Sequence, residues 1–130
     1  MELINRPRRL RQNDSIRRLC RETRLSPDSL IYPIFVDETL KGKRPIPALD
    51  GQFHYGLDAV CEAVEECIRA GVGRCILFGL PARKDAVGSS AWDEHGVVQE
   101  AIRVIKAKYP DFYVITDVCM CEYTDHGHCG

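Results

Sequence analysis

The chain has 130 residues, 45% hydrophobic and 28% charged, with a formal net charge of −1. That composition is ordinary for a globular chain, and no window approaches the length of a membrane span. Seven cysteines, an odd number, and no apolar run at the start point to a reducing compartment, the cytoplasm, with thiols or metal ligands and no disulfide framework.

The first element is a basic arm. Over residues 1–24, Arg6, Arg8, Arg9, Arg11, Arg17, Arg18, Arg21 and Arg24 stand against Glu2, Asp14 and Glu22, a balance of +5 that leaves −6 for the rest. Such an arm can bind nucleic acid or an anionic membrane. It can equally lie on an acidic body, its own or a sister subunit's. The opposite charge of the remainder favours the protein contact, and no aromatic residue among the arginines offers a base a stacking surface. We therefore expect neither nucleic acid nor membrane as partner. Asp14 or Ser15 is expected to cap a short helix with Ile16, Leu19 and Cys20 on its apolar side. Ser26-Pro27-Asp28 reads as a turn.

Leu30–Val36 is a nearly continuous apolar run, which suits a strand buried on both faces, although Pro33 weakens its ladder. Residues 37–56, with Gly42, Pro45, Pro47, Gly51 and Gly56, read as one long loop. Leu57, Val60, Cys61, Val64, Cys67 and Ile68 recur at helical spacing, and Gly71 and Gly73 stop that helix. Cys75–Phe78 is a second strand, ended by Gly79-Leu80-Pro81. Cys61, Cys67 and Cys75 read as small core residues. Residues 82–96 form a polar loop. Val97, Val98, Ala101, Ile102 and Ile105 mark a second helix that runs to about Tyr109 and ends at Pro110. Phe112–Val118 is a third strand.

Strand, helix, strand, helix, strand implies a parallel sheet with crossover helices. Neither the dinucleotide fingerprint nor the phosphate-binding lysine loop is present. Long polar loops after the first two strands favour a (β/α)8 barrel over an open sheet.

Directly after the third strand come Cys119, Cys121, His126, His128 and Cys129. If extended geometry persists past Val118, Asp117, Cys119 and Cys121 point to one side. Gly127 and Gly130 loosen the chain so that Cys129 can return. Three thiolates and one open position make a Lewis-acid zinc site, and four protein ligands make a closed structural one. His128 is a candidate fourth ligand, a ligand for a second metal, or a proton carrier. No second close pair of ligands, as in a zinc finger, occurs. Thiolates favour zinc and also accept other soft metals. A catalytic metal, a structural metal and redox thiols are the three readings, and a strand-end position favours the first.

The stretch Asp117-Val118-Cys119-Met120-Cys121-Glu122-Tyr123-Thr124-Asp125-His126-Gly127-His128-Cys129-Gly130 resembles the zinc-site motif of the porphobilinogen synthase (5-aminolevulinate dehydratase) family, in its cysteine-rich form. Arg8–Arg11, Arg21–Ser26, Leu30–Val36 and Leu77–Pro81 resemble the same family. The resemblance implies an N-terminal arm over residues 1–26 that wraps a neighbouring subunit, and a partial (β/α)8 barrel of about three βα units over 27–130 that ends in the metal-site loop. It implies a homo-oligomer, commonly an octamer. It implies condensation of two 5-aminolevulinate molecules to porphobilinogen in haem synthesis, zinc on Cys119, Cys121 and Cys129, and a proton-transfer or orienting role for Asp117. His128 can ligate a second zinc in some relatives, and His126 reads as a loop hydrogen bond. Magnesium as an allosteric ion belongs to the same picture, with no residue here assigned to it.

The family's chemistry also needs two Schiff-base lysines on later strands. Lys41, Lys43, Lys84, Lys106 and Lys108 match neither. The 130 residues alone are therefore expected not to form porphobilinogen. Two other classes remain: a zinc-binding or redox regulatory module with a nucleic-acid-binding arm, and a non-catalytic assembly partner of an intact synthase.

Overall fold

The computed structural model describes Ile4 and residues 6–129. Arm residues 1–3 and 5, Glu2 among them, lie outside the described residues, as does Gly130, expected to loosen the loop beside Cys129. In the arm, Asn13 caps the first helix, α1 (Asp14–Leu19), by accepting the Ile16 amide at 3.0 Å. The sequence pointed to Asp14 or Ser15. Asn13 takes the role because its backbone is still extended, whereas Asp14 is already helical and spends its carboxylate on Arg17 and Arg18. From Arg6 to Leu25 every residue is exposed except Ile16, which is half-buried. Among the described residues, arm positions 8–25 therefore bury little surface against the rest of the chain. Ser26 caps the expected turn, a short 3-10 segment over Pro27–Ser29.

The first strand, β1 (Tyr32–Asp37), contains Pro33. Proline is tolerated because the strand has a neighbour on only one side at that position: β4, introduced below, pairs along all of β1, whereas the other flank is paired only at Phe35 and Val36. That flank corrects one expectation. Residues 37–56 are not a plain loop. They hold a hairpin of β2 (Lys43–Pro45) and β3 (Phe53–Tyr55), antiparallel to each other, with β3 parallel to β1. Strands of three residues are too short to show an alternating pattern in the sequence. Arg44 on β2 donates to Asp37 at 2.8 Å, and Lys43 pairs with Glu62 at 2.9 Å, which ties the hairpin to the barrel segment.

Helix α2 (Val60–Arg69) starts three residues later than the pattern suggested, and Leu57 belongs to the turn before it. It buries Val60, Ala63, Val64 and Cys67, while Ile68, expected inside, is 47% exposed. Strand β4 (Arg74–Leu80), helix α3 (Val97–Lys108) and strand β5 (Tyr113–Thr116) follow. The third strand thus ends two residues short of expectation, and Val118 is 98% exposed. Among the described residues the sheet order is β2-β3-β1-β4-β5, with β1, β4 and β5 parallel.

Alternation along β4 separates the two faces. Cys75, Leu77 and Gly79 are buried beneath the helices with Ile34, Val36, Val64, Ala101 and Ile105. Each large apolar side chain sealed there stabilises by about 1.5–3 kcal/mol. The other face carries Phe35, Ile76, Phe78 and Ile115, all half-buried. β1 is therefore buried on one face, not two. That second face is the one a barrel turns inward and fills with side chains from several strands, and here it packs on itself through stacked Phe35 and Phe78, 5.5 Å apart. Among the described residues no helix is long and apolar enough to cross a membrane.

Asp37 links β1 to the hairpin. Burial alone would push its carboxyl up. The Thr39 hydroxyl and amide, at 2.7 and 2.9 Å, and the Arg44 charge outweigh that and leave it below the usual carboxylate range. A depressed folded value adds stability that is fully present above the unfolded value of about 4 and is lost as pH falls through the folded value. Urea unfolding of Asp37→Asn at pH 7 is expected to show a loss of about 1–3 kcal/mol. At pH 3 the gap to the parent chain should narrow; an equal gap at both pH values would refute the carboxylate's role.

Candidate metal centre

Beyond Thr116 the chain leaves the sheet, so strand alternation does not place the cysteines. A turn does: the amides of Tyr123 and Thr124 donate to the Met120 carbonyl at 2.9 and 3.0 Å. The turn sets Cys121 Sγ 2.9 Å from Cys119 Sγ, and Cys129 Sγ returns to 3.1 Å from Cys119 Sγ. The three sulfurs lie within 4.8 Å of one another. Cys119 and Cys121 are half-buried and Cys129 is exposed, so the cluster keeps an open side.

The electrostatics favour one proton leaving first. Hydrogen bonds shared with Cys121 and then Cys129 push the Cys119 thiol up to about 12. Cys129 is pulled below the ordinary thiol range, first by the Cys119 thiol and then by the Met120 and Cys121 amides aimed at its sulfur. Burial acts in the opposite sense elsewhere, pushing Cys67 up to about 11 and Cys75 to about 12. Those two are neutral core thiols, as their sequence setting suggests. Cys61 is half-buried.

The donor set fits a soft divalent ion. Tetrahedral zinc with bonds of about 2.3 Å spaces its sulfurs about 3.8 Å apart. The contacts at 2.9 and 3.1 Å need to open by less than about 1 Å to reach that spacing.

The other residues singled out fall around this cluster. Asp117 lies one residue past β5 and is exposed. A bend at Met120 separates Asp117 and Cys119 from Cys121, which lies in the turn that follows. The His128 ring stacks on His126 at 6.0 Å and stands outside the sulfur triangle. His126 Nδ1 accepts the His128 amide at 3.2 Å, so Nε2 carries the proton and donates to the Ala86 carbonyl at 3.3 Å. That is the loop hydrogen bond expected of it.

Several nearby groups escaped the sequence reading. A cleft at the C-terminal ends of β1 and β4 is lined by Phe35, Asp37, His54, Phe78, Lys84 and Glu122. Burial, then the Asp117 charge, pushes Glu122 above the usual carboxylate range. Glu122 sits inside the cysteine motif, so its position was visible; Lys84 and His54 reach the cleft only through tertiary packing. Gly79 explains how the motif comes so close. A Cβ there would lie 2.7 Å from Val98 Cγ2 and 2.9 Å from Tyr123 Oη and Val97 Cγ1.

Comparison with known proteins agrees with this geometry. The family described as delta-aminolevulinic acid dehydratase matches residues 4–130. Curated relatives of that name include one from Ruminiclostridium josui, 54% identical over 98% of this chain and 62% of its own length. Another, from Archaeoglobus fulgidus, is 53% identical over 96% of this chain and 38% of its own length. One from Bacillus subtilis is 47% identical over 98% and 39%. The chain thus spans less than two thirds of each. A crystal structure of delta-aminolevulinic acid dehydratase (porphobilinogen synthase) from Toxoplasma gondii ME49, in complex with the reaction product porphobilinogen, superposes with a TM-score of 0.91 at 31% identity. That match covers 98% of this chain and 37% of the other, so the sheet and helices correspond to one part of a barrel enzyme. Residue motifs, strand order and sequence identity agree, and the chain belongs to the delta-aminolevulinic acid dehydratase family.

Proposed function

We propose that this chain serves porphobilinogen synthesis in the cytoplasm, the condensation of two 5-aminolevulinate molecules with loss of two waters, and that it supplies the metal-binding part of the site. The single observation that carries the proposal is the convergence of Cys119, Cys121 and Cys129 just past the C-terminal end of a parallel strand, where this fold places its chemistry. A zinc ion held by these thiolates would polarise a substrate carbonyl or the hydroxyl derived from it. The chain's own part is to hold three sulfurs on one side and leave the opposite side open. Asp117, exposed at the strand end, is proposed to orient a substrate group or carry a proton. Glu122, held toward its neutral form by burial, is a second proton-carrying group beside the cleft.

No lysine of this chain takes the Schiff-base role in the proposal. Lys43 pairs with Glu62, Lys108 with Glu65, and Lys106 donates to the Pro110 and Phe112 carbonyls. Lys41 is exposed in the turn before β2, and Lys84 is exposed at the cleft rim. The amine chemistry is assigned to later barrel strands of the family fold. The arm is proposed as the contact to a neighbouring copy in a homo-oligomer. Its support is the exposure of Leu10, Leu19 and Leu25 at 59%, 76% and 89%, together with the opposite charge of the rest of the chain.

Zinc titration of the reduced chain is expected to give one ion per chain. Cys119→Ser, Cys121→Ser and Cys129→Ser should each weaken binding by more than the ~10–100-fold typical of losing a supporting group, and Cys61→Ser should leave it unchanged. Equal affinity in all four variants would reject the site. The zinc-loaded 130-residue chain, given 5-aminolevulinate, is expected to release no porphobilinogen, and steady turnover would overturn the assignment of the amine chemistry to later strands.

A further inference from the structure

Cys119 and Cys121 meet through a local turn, but Cys129 comes from eight residues further on and has to be brought back. The intervening segment holds little apolar side chain and is fixed by hydrogen bonds. Thr124 Oγ1 donates to the His128 carbonyl at 3.0 Å, and His126 reaches the Ala86 carbonyl. The Asp125 amide donates to the Asp85 carbonyl at 3.1 Å, and the Asp85 amide donates to the Tyr123 carbonyl at 3.3 Å. Asp85 and Thr124 thus form an isolated parallel bridge between two loops. Thr124 is only 4% exposed, although neither loop is part of the sheet.

The Asp85 side chain organises its own loop at the same time. Oδ1 accepts the Val87 amide at 3.1 Å and the Ser89 amide at 3.0 Å, and Oδ2 accepts the Ser89 hydroxyl. The Asp85 carbonyl also accepts the Gly88 amide at 3.2 Å. The turn so formed presents Gly88, at φ +65°, to the cysteine loop: a Cβ there would lie 2.7 Å from Met120 Cε and 3.4 Å from Thr124 Cγ2 and Tyr123 Cβ. The carboxylate is engaged within its own turn and is not among the groups that converge with the three sulfurs.

We infer that Asp85 is a positioning residue for the metal centre: its carboxylate shapes the 85–89 turn, and that turn holds the segment between Cys121 and Cys129 so that the third sulfur meets the other two. This rests on the proposed metal site and extends it to a residue more than thirty positions upstream. Groups that fix ligands from behind typically alter metal affinity by about 10–100-fold.

The test is cobalt(II) titration of the full 130-residue chain under reducing conditions, read by thiolate-to-cobalt charge-transfer absorption, with metal-free thermal midpoints measured in parallel. Asp85→Ala is expected to weaken cobalt binding by about 10–100-fold and to reach the parent spectrum at saturation. Asp85→Asn keeps a carbonyl acceptor for the Val87 and Ser89 amides and should recover most of the affinity. A general loss of stability would lower the thermal midpoint and leave affinity unchanged well below it. Cobalt affinity of Asp85→Ala equal to the parent's overturns the positioning role. If Asp85→Ala does not fold, Ser89→Ala decides: about two- to tenfold weaker binding is expected for one lost hydrogen bond, and parent affinity overturns the role. A parent chain that develops no charge-transfer band removes the metal reading and this inference with it; a parent that binds beside an unaffected Asp85→Ala removes this inference alone.

Discussion

Close approach at the end of β4 is the constraint on which the site depends. β4 lies inside the sheet, paired along β1 on one side and with β5 on the other. Its buried face drops in size from Leu77 to Gly79, and at Gly79 the start of α3 and the Tyr123 hydroxyl both come in against the backbone. A side chain there would push one of them away. With Tyr123 seated, the turn that begins at Met120 is fixed over the sheet end, and the first two sulfurs follow from it. Packing of an ordinary apolar kind thus helps to place three converging cysteine sulfurs with an open side.

The division of the sheet into two faces accounts for the rest. The helix face is sealed by α2 and α3 and provides the stability. The opposite face, with its Phe35–Phe78 stack and the His54 ring 6.1 Å from Phe35, leads upward to the cleft that Lys84 and Glu122 border. Glu122, the residue after Cys121, joins that cleft to the cysteine turn, while Cys119 itself lines a hollow against α3 with Val98 and Ile102. In this proposal metal and proton-carrying groups come from loops, and the strands determine where those loops begin.

Much of this was legible in the sequence, for physical reasons. The apolar stripes of α2 and α3 and the short apolar runs of β1 and β4 gave the parallel α/β order, because burial of one face forces periodicity. The cysteine cluster stood out because thiols so close together have few structural uses. Other features depend on tertiary partners and left weaker marks. The β2–β3 hairpin exists because β1 offers a free flank at Phe35 and Val36, and nothing in Lys43–Pro45 announces a strand. Asn13 caps α1 because Asp14 is drawn into ion pairs. The cysteines converge through a turn, not through the extended geometry that their spacing suggested. Asp85 was the most informative omission: Asp85 followed by Gly88-Ser89 is a pattern for a side chain accepting amides two and four residues on, but its pairing with Thr124 has no local signature.

The account turns on three sulfurs and one open position. X-ray absorption at the zinc edge of the metal-loaded chain measures this directly. Three sulfur neighbours at about 2.3 Å and one lighter donor are expected. Four sulfur neighbours, or a shell of nitrogen and oxygen with fewer than three sulfurs, would contradict the arrangement on which the proposed chemistry rests.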